Sequence, residues 1–464
     1  MQSERWYRKA PMNIYRVDLD RMLQARERRV SIQNKMLADA GSGHCLVCLT
    51  MNIPGDVKRT PMTRMLFDAG VAEMASAGFR TEKELILDEA TGSEAFWLLD
   101  ENGPRVKAKL ETVEDAYPAA RLYDFDVIMP DGAKLSRATG RKCLICDAYA
   151  AECARSRRHG LEQVMRAVDD LLVSFCSARL AREAYGALMD ELHTTPKPGL
   201  VDMNNNGAHT DMDAALFEKS ASALIPYFED AVRMGTELRG MEALRERGKK
   251  AEAEMFAATG GVNTHKGLIY SMGLLLAGMG RCLREGGSCT GYAASLAAED
   301  AEACLERSQK APDTNGGEVY RSFGARGAIG EASAGFPGAL YCLSRLEFYR
   351  DRGCREPGAL SLCDSMAVLE DTNLLHRGGA EGLAFVQRSA AVIARMPLED
   401  RVGALTGLDE ELIGRNLSPG GSADMLAIAL LLERWQKISA GLFTYQNGSR
   451  QHELLKRIWD SHAI

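Results

Sequence analysis

Charged side chains recur beside glycine at five places in the second half of this sequence, a pairing suited to phosphate. The first place reads Thr195-Pro196-Lys197-Pro198-Gly199-Leu200-Val201-Asp202 and runs on through Asn204-Asn205-Asn206-Gly207-Ala208-His209. Residues 259–267 carry His265 and Lys266, and residues 324–327 carry Arg326. Asp371-Thr372-Asn373 is followed by His376-Arg377-Gly378-Gly379, and residues 416–424 carry Ser418, Ser422 and Asp424. Pro, Gly and Asn at this density end helices and shape loops. One such loop alone would be a helix cap and turn. Caps need Gly or Asn, however, and not Lys266, Arg326 or Arg377 beside them. Together the five predict a polyphosphate site walled by helix ends.

The first half holds different chemistry. Asp124-Phe125-Asp126 falls on a predicted strand. Side chains at i and i+2 share a face, so both carboxylates could meet Mg²⁺ and serve transfer at a phosphorus atom. The alternative is a solvated strand edge. Gly92-Ser93 would be the phosphate-contacting turn of such a site. Lys58 and Arg59 sit where a strand leaves for a helix start, which suits a phosphate. Cys143, Cys146, Cys153 and His159 are spaced C-x2-C-x6-C-x5-H, which allows a tetrahedral Zn²⁺. Leu144 and Ile145 depart from the polar or Gly residues usual inside such a knuckle. Arg155, Arg157, Arg158 and His159 read instead as a polyphosphate clamp, since arginine grips phosphate bidentately.

Two kinds of element must hold these groups. Up to about residue 130, helical stretches (21–38, 62–77, 106–117) alternate with strands (44–51, 85–87, 95–99, 122–129), the pattern of an α+β domain. From residue 148 onward strand signals vanish, and Ala/Leu/Glu/Arg helices alternate with the glycine loops. A helical stretch over 148–192 forms the join. The fold expected is multidomain: an N-terminal α+β, nucleotidyltransferase-like domain over 1–175 and a larger all-α domain over 176–464.

Bulk properties narrow the function. A chain of 464 residues exceeds one ordinary core. A net charge of -7 argues against nucleic acid as partner, since backbone binders carry a basic face. The polar first ten residues show no signal core, and the longest apolar run, near residues 274–279, is far too short for a bilayer. The twelve cysteines are scattered, so reduced thiols in the cytoplasm are expected.

Residues 49–61 together with 141–159 resemble the apo-citrate lyase phosphoribosyl-dephospho-CoA transferase family. The stretch from Thr195 through Asp424 resembles the triphosphoribosyl-dephospho-CoA synthase family. Side by side they look like the fused bifunctional proteins of citrate lyase prosthetic-group biosynthesis. The resemblance implies that the second half takes ATP and 3'-dephospho-CoA, joins the ribose C1 of ATP to a ribose hydroxyl of dephospho-CoA, and releases adenine. It implies that the first half passes the phosphoribosyl-dephospho-CoA unit to a serine of the citrate lyase acyl carrier (gamma) subunit, releasing pyrophosphate.

The residue chemistry is compatible. Glycosyl transfer passes through an oxocarbenium-like state and uses carboxylates as base and as Mg²⁺ holders. Asp202, Glu331, Asp371 and Asp424 are the candidates, with Asp202 and Asp371 for Mg²⁺ and with Asp124 and Asp126 doing both jobs in the first half. Lys197, Lys266, Arg326 and Arg377 would neutralise the triphosphate, with Ser418 and Ser422 adding hydroxyls. His209, His265 and His376 would protonate departing adenine. One rival is a malonate decarboxylase maturation enzyme, whose synthase is a close relative. The other is a non-catalytic scaffold for an acyl carrier, against which the density of charged glycine loops argues.

Overall fold

The structure, a computed structural model, describes residues 15–38, 40–299, 301–310 and 315–443, the side chains of 307 and 308 apart. The polar first ten residues lie outside it. The chain divides into two compact units, one of residues up to Cys176 together with those from Ile438 on, the other Ser177–Lys437.

In unit 1 the order is α1 (Leu19–Leu37), β1 (Cys45–Met51), α2 (Pro61–Ser76), β2 (Thr81–Glu89), β3 (Gly92–Leu99), α3 (Gly103–Glu114), β4 (Tyr123–Ile128) and α4 (Ala150–Ser156). The four strands form one antiparallel sheet in the order β2-β3-β1-β4. Alternation decides its faces. Leu46, Cys48, Phe96, Leu98 and Ile128 pack with Ile32 and Leu37 of α1 in one core. Tyr123 and Phe125 take the opposite face, where the Tyr123 hydroxyl donates to the Leu66 carbonyl of α2 at 3.0 Å. Thr60 and Thr63 form a reciprocal cap before Pro61, which fixes where α2 begins.

The expected continuous helix over 148–192 is two helices, α4 and α5 (Leu161–His193). Arg157 adopts the left-handed conformation, φ 49°, and ends α4. The division between units falls within α5.

Unit 2 has no strand among the described residues. After α5 come α6 (Ala214–Ala223), α7 (Ile225–Thr236), α8 (Met241–Thr259), α9 (Lys266–Glu285), α10 (Cys289–Ala298), α11 (Ala301–Lys310) and α12 (Asn315–Phe323). They are followed by α13 (Gly327–Ser333), α14 (Pro337–Asp351), α15 (Pro357–Met366), α16 (Thr372–Ile393), α17 (Leu398–Gly414) and α18 (Gly420–Ser439). Helix α9 is apolar on nearly every face and is therefore the buried axis of the unit. Its glycines let neighbours touch the backbone: a Cβ at Gly278 would meet the Cys289 carbonyl at 2.2 Å, and one at Gly280 the Val232 carbonyl at 2.1 Å. Residues 376–379, expected as a loop, continue α16 with a kink at Gly379, φ 61°. No described helix is long and apolar enough to cross a membrane.

Residues 438–443 group with the first unit. The Arg59 guanidinium donates to the carbonyls of Gly441 and Leu442, and Leu442 is buried.

Candidate active sites

Unit 2 encloses a cavity of about 1110 Å³. Its wall includes the first residues of four helices: Lys266 and Gly267 of α9, Gly327 and Ala328 of α13, Thr372 and Asn373 of α16, Gly420 and Gly421 of α18. Each helix start offers N–H groups without an intrahelical acceptor and the positive end of a dipole. The glycine loops of the sequence thus meet around one cavity. Of the residues expected there, Lys197, His209, His265, Lys266, Arg326, Glu331, Asp371, His376, Arg377, Ser418 and Asp424 line it.

The carboxylates differ in what they already hold. Asp371 caps α16, accepting from the Asn373 and Leu374 amides at 2.9 and 3.2 Å, and its other oxygen accepts from the Ser422 amide and hydroxyl at 2.7 and 3.0 Å. Ser422 is wholly buried in that task and does not reach the cavity, which corrects its assignment to phosphate. Asp202 is likewise corrected as a metal holder. It accepts from the Thr195 hydroxyl at 2.5 Å and from the amides of Lys197, Asn204 and Asn205, so its oxygens are filled by its own loop. Asp409, which the sequence reading missed, ties that loop down through the Gly199 amide at 2.8 Å and the Asn205 side chain at 2.7 Å.

Asp424 is the exception. Its carboxylate lines the cavity, lies against Gly267 at the start of α9, and has no hydrogen-bond or ion-pair partner among the described residues. Burial, then the charges of Asp371 and Glu191, hold it well above the usual carboxylate range. Glu331, which also lines the cavity, is raised by burial and anchored by one oxygen to the Gly338 amide at 2.9 Å, its other oxygen taking no hydrogen bond among the described residues.

The cations are partnered. Lys197, almost fully buried, binds Glu191 at 2.6 Å; Lys266 binds Glu252 at 2.6 Å; Arg326 binds Glu302. Arg377 donates to the Ala208 carbonyl, to the Asn416 side chain and to Nδ1 of His209 at 3.2 Å. A guanidinium only donates, so Nδ1 of His209 accepts and its Nε2–H faces the Ser418 hydroxyl at 2.9 Å. His209 is thus neutral, and burial followed by Arg377 lowers its pKa. His265 is pushed down to about 4 by burial and by Lys197, its Nδ1 2.7 Å from the Ser220 hydroxyl. Burial thus works against the protonated form of both rings. His376 stands at the rim, 3.9 Å from Glu318.

In unit 1 the strand register places Asp126 opposite Cys48 and Asp124 opposite Thr50, so both aspartates share a face. They line a cavity of about 310 Å³ with Lys107, Lys134, Arg137 and Arg141. After β4 the chain turns at Gly132 and pairs back, Leu135 amide to Val127 carbonyl at 2.9 Å, which brings Lys134 to 2.5 Å from Asp126. Arg141 reaches Asp124 at 3.2 Å and the buried Glu114 at 2.7 Å. Burial, then Asp124, raises the Asp126 pKa against the pull of Lys134.

Several expected phosphate ligands lie elsewhere. Lys58 donates to the Ile53 carbonyl at 2.5 Å and does not line the Asp124/Asp126 cavity. Arg59 is bound to Asp88, and Ser93 is buried with its hydroxyl on Asp88 at 2.7 Å. Arg155, Arg157 and Arg158 also lie outside that cavity, Arg155 turned to the Ala151 carbonyl of its own helix. His159 faces a thiol, its Nε2 3.3 Å from the Cys146 sulfur. The structure therefore does not bring the expected clamp residues to the Asp124/Asp126 cavity.

Residues 177–441 match the ATP:dephospho-CoA triphosphoribosyl transferase family, and residues 17–175 match the apo-citrate lyase phosphoribosyl-dephospho-CoA transferase family. Protein CitXG of Haemophilus influenzae is 32% identical over 446 residues, covering 89% of this chain and 96% of its own. The chain belongs to the family of fused citrate lyase maturation proteins. Protein CitXG of Leuconostoc mesenteroides subsp. cremoris is 28% identical over 90% of this chain and 97% of its own. The 2-(5''-triphosphoribosyl)-3'-dephosphocoenzyme-A synthase of Escherichia fergusonii is 39% identical over 54% of this chain and 89% of its own.

The chain is thus a bifunctional transferase, with the larger cavity in its synthase half and the Asp124/Asp126 cavity in its carrier-loading half. Glu191 and Lys134 were missed in both halves for want of one step of reasoning. A buried lysine needs a counter-charge, and Glu191 is the last acid of the helix before Lys197. A turn at Asp131-Gly132 returns the next residues to β4, which puts Lys134 beside it.

Proposed function

We propose that the synthase reaction runs in the chamber of unit 2, with the triphosphate of ATP among the four helix starts and the ribose hydroxyl of 3'-dephospho-CoA at Glu331. The observation that carries this reading is Asp424, a carboxylate without a partner in a chamber otherwise built for anions. A hard cation completes such a place: Mg²⁺ takes one or two carboxylates plus substrate phosphates. Asp424 fits it; Asp202 and Asp371, with filled oxygens, do not. Bound there, Mg²⁺ would neutralise the triphosphate.

The chain's own groups do the rest. The free oxygen of Glu331 takes the proton of the attacking hydroxyl, its pKa raised toward the working range of a base. The C1–N bond to adenine breaks as the C1–O bond forms, and adenine leaves with a proton for which His376 is the rim donor. Lys266 and Arg326 exchange their surface acids for phosphate oxygens.

In the other half, of nucleotidyltransferase type, Asp124 and Asp126 suit Mg²⁺. Their mutual repulsion and the exposure of Lys134, whose side chain is 57% accessible, make that contact replaceable. Arg137 and Arg141 then hold the departing pyrophosphate while the carrier subunit's serine attacks phosphorus. All twelve cysteines are free thiols, as suits the cytoplasm. The test is direct. Purified protein with Mg-ATP should release free adenine only when dephospho-CoA is added. Adenine release that ignores dephospho-CoA, or none with both present, would sink the reading.

A further inference from the structure

Neither transfer uses the thiols of unit 1, yet the fold gathers them. One ligand atom from each of Cys143, Cys146, Cys153 and His159 lies within 4.8 Å of all the others. The Cys146 sulfur is 3.5 Å from that of Cys153 and 3.3 Å from Nε2 of His159. Ligands at zinc–sulfur and zinc–nitrogen bond lengths around a tetrahedral ion stand roughly 3.5–3.8 Å apart, so these spacings are close to what one ion would impose.

The backbone is shaped to this end. Lys142 and Tyr149 pair as an antiparallel bridge, with the Cys143 amide on the Ala148 carbonyl at 2.8 Å. That tight hairpin carries the first two cysteines, and the Ile145 amide points at the Cys143 sulfur at 3.4 Å, a contact that favours thiolate. Helix α4 supplies Cys153. The left-handed turn at Arg157 then reverses the chain, so that His159 comes back to the same point.

The segment has little else to hold it. From residue 140 to 160 Cys153 is the one buried side chain, and all three cysteines are free. Ordering twenty residues without a core or a cross-link is unfavourable. We propose that Cys143, Cys146, Cys153 and His159 form a structural Zn²⁺ site that holds the 141–159 segment in place. Three thiolates and an imidazole suit zinc and not Mg²⁺. Four protein ligands leave no open position, so the site is structural. Its place gives it a purpose. Arg121 donates to the Lys142 and Cys143 carbonyls at 2.6 and 3.0 Å, and Arg141, at the base of the hairpin, reaches Asp124. The metal would fix that hairpin and so keep Arg141 on the carrier-loading cavity.

The experiment uses the full chain, purified reduced and without chelator. Elemental analysis should find about one zinc per chain. Cobalt in its place should give the strong sulfur-to-metal absorption of a tetrahedral thiolate site. Cys146→Ser should lose most of the metal, whereas Cys354→Ser, outside the cluster, should keep it. His159→Cys should retain metal and strengthen the cobalt–sulfur band, which only direct ligation predicts. Stripping the metal should open the bonds after Arg155, Arg157 and Arg158 to trypsin. A reduced wild-type chain that takes up neither zinc nor tetrahedral cobalt would overturn the proposal. So would a zinc content indifferent to Cys146→Ser, a Cys146–Cys153 disulfide in place of metal, or tryptic cleavage equal with and without metal.

Discussion

At the scale of single residues, Asp424 sets function against stability. Its pKa is raised in the folded state, so the folded chain holds a proton that the unfolded chain gives up. Stability contributed by this group therefore falls as pH rises from the ordinary carboxylate range through the raised value. Asp424→Asn removes that penalty. The variant should melt above wild type at neutral pH without ligand, and the gap should widen with pH across that window. It should also lose about a hundredfold or more in adenine release and the stabilisation that Mg-ATP gives wild type. Thermal melts at several pH values, with and without Mg-ATP, read all of this; a variant less stable than wild type at high pH would contradict the assignment. Glu331→Gln is a contrasting case. It should cut kcat by roughly 10²–10⁴ while ATP still raises the melting temperature, since the base is lost and the chamber is not. In wild type the rate should fall as pH drops through the raised Glu331 pKa, because only the ionised form accepts the proton. A Gln variant with the wild-type rate would leave the attacking hydroxyl without a base at this position.

At the scale of elements, the sequence was most legible where one period or one residue type dominates. The continuous apolar run from Cys45 to Met51 and the segment of Asp124 and Asp126 are strands in the structure, and the shared face of the two aspartates follows from the register. Four of the five glycine loops open a helix whose first residues line the larger cavity, and that much was legible. What the sequence hid was the direction in which polar atoms turn. Asp202 looks like Asp424 in composition, yet three backbone amides and a hydroxyl of its own loop capture it. Nothing in local spacing tells a loop-binding carboxylate from a free one. The 376–379 run was misread for a similar reason, since Gly379 kinks α16 without ending it. The Lys197 loop depends on a glycine that cannot be replaced. Gly199 has φ 73°, and a Cβ there would meet the Leu417 carbonyl at 2.3 Å. Gly199→Ala should therefore destabilise by more than about 2 kcal/mol and weaken adenine release with it. Urea unfolding checks the first, and an unchanged midpoint would show that the two loops are not locked.

At the scale of the whole molecule, the two reactions should fail separately. Asp126→Asn keeps the shape of the smaller cavity and removes one charge. Given preformed triphosphoribosyl-dephospho-CoA and Mg²⁺, it should no longer load the carrier subunit, as read by the mass of that subunit. Adenine release should continue at the wild-type rate. Normal loading would return the Asp124/Asp126 pair to an ordinary strand edge.

The contact of Arg59 with Gly441 and Leu442 sets a clock on biosynthesis. Polypeptides leave the ribosome in order, at about 5–20 residues per second. The sheet and helices up to Cys176 emerge early, but the carbonyls that receive Arg59 belong to the last part of the described chain. For some tens of seconds the nascent first unit must wait without those two acceptors for its guanidinium, while everything between is being made. A growing chain arrested before Ile438 should accordingly expose the surface that Leu442 later covers, and bind trigger-type chaperones there until synthesis is complete.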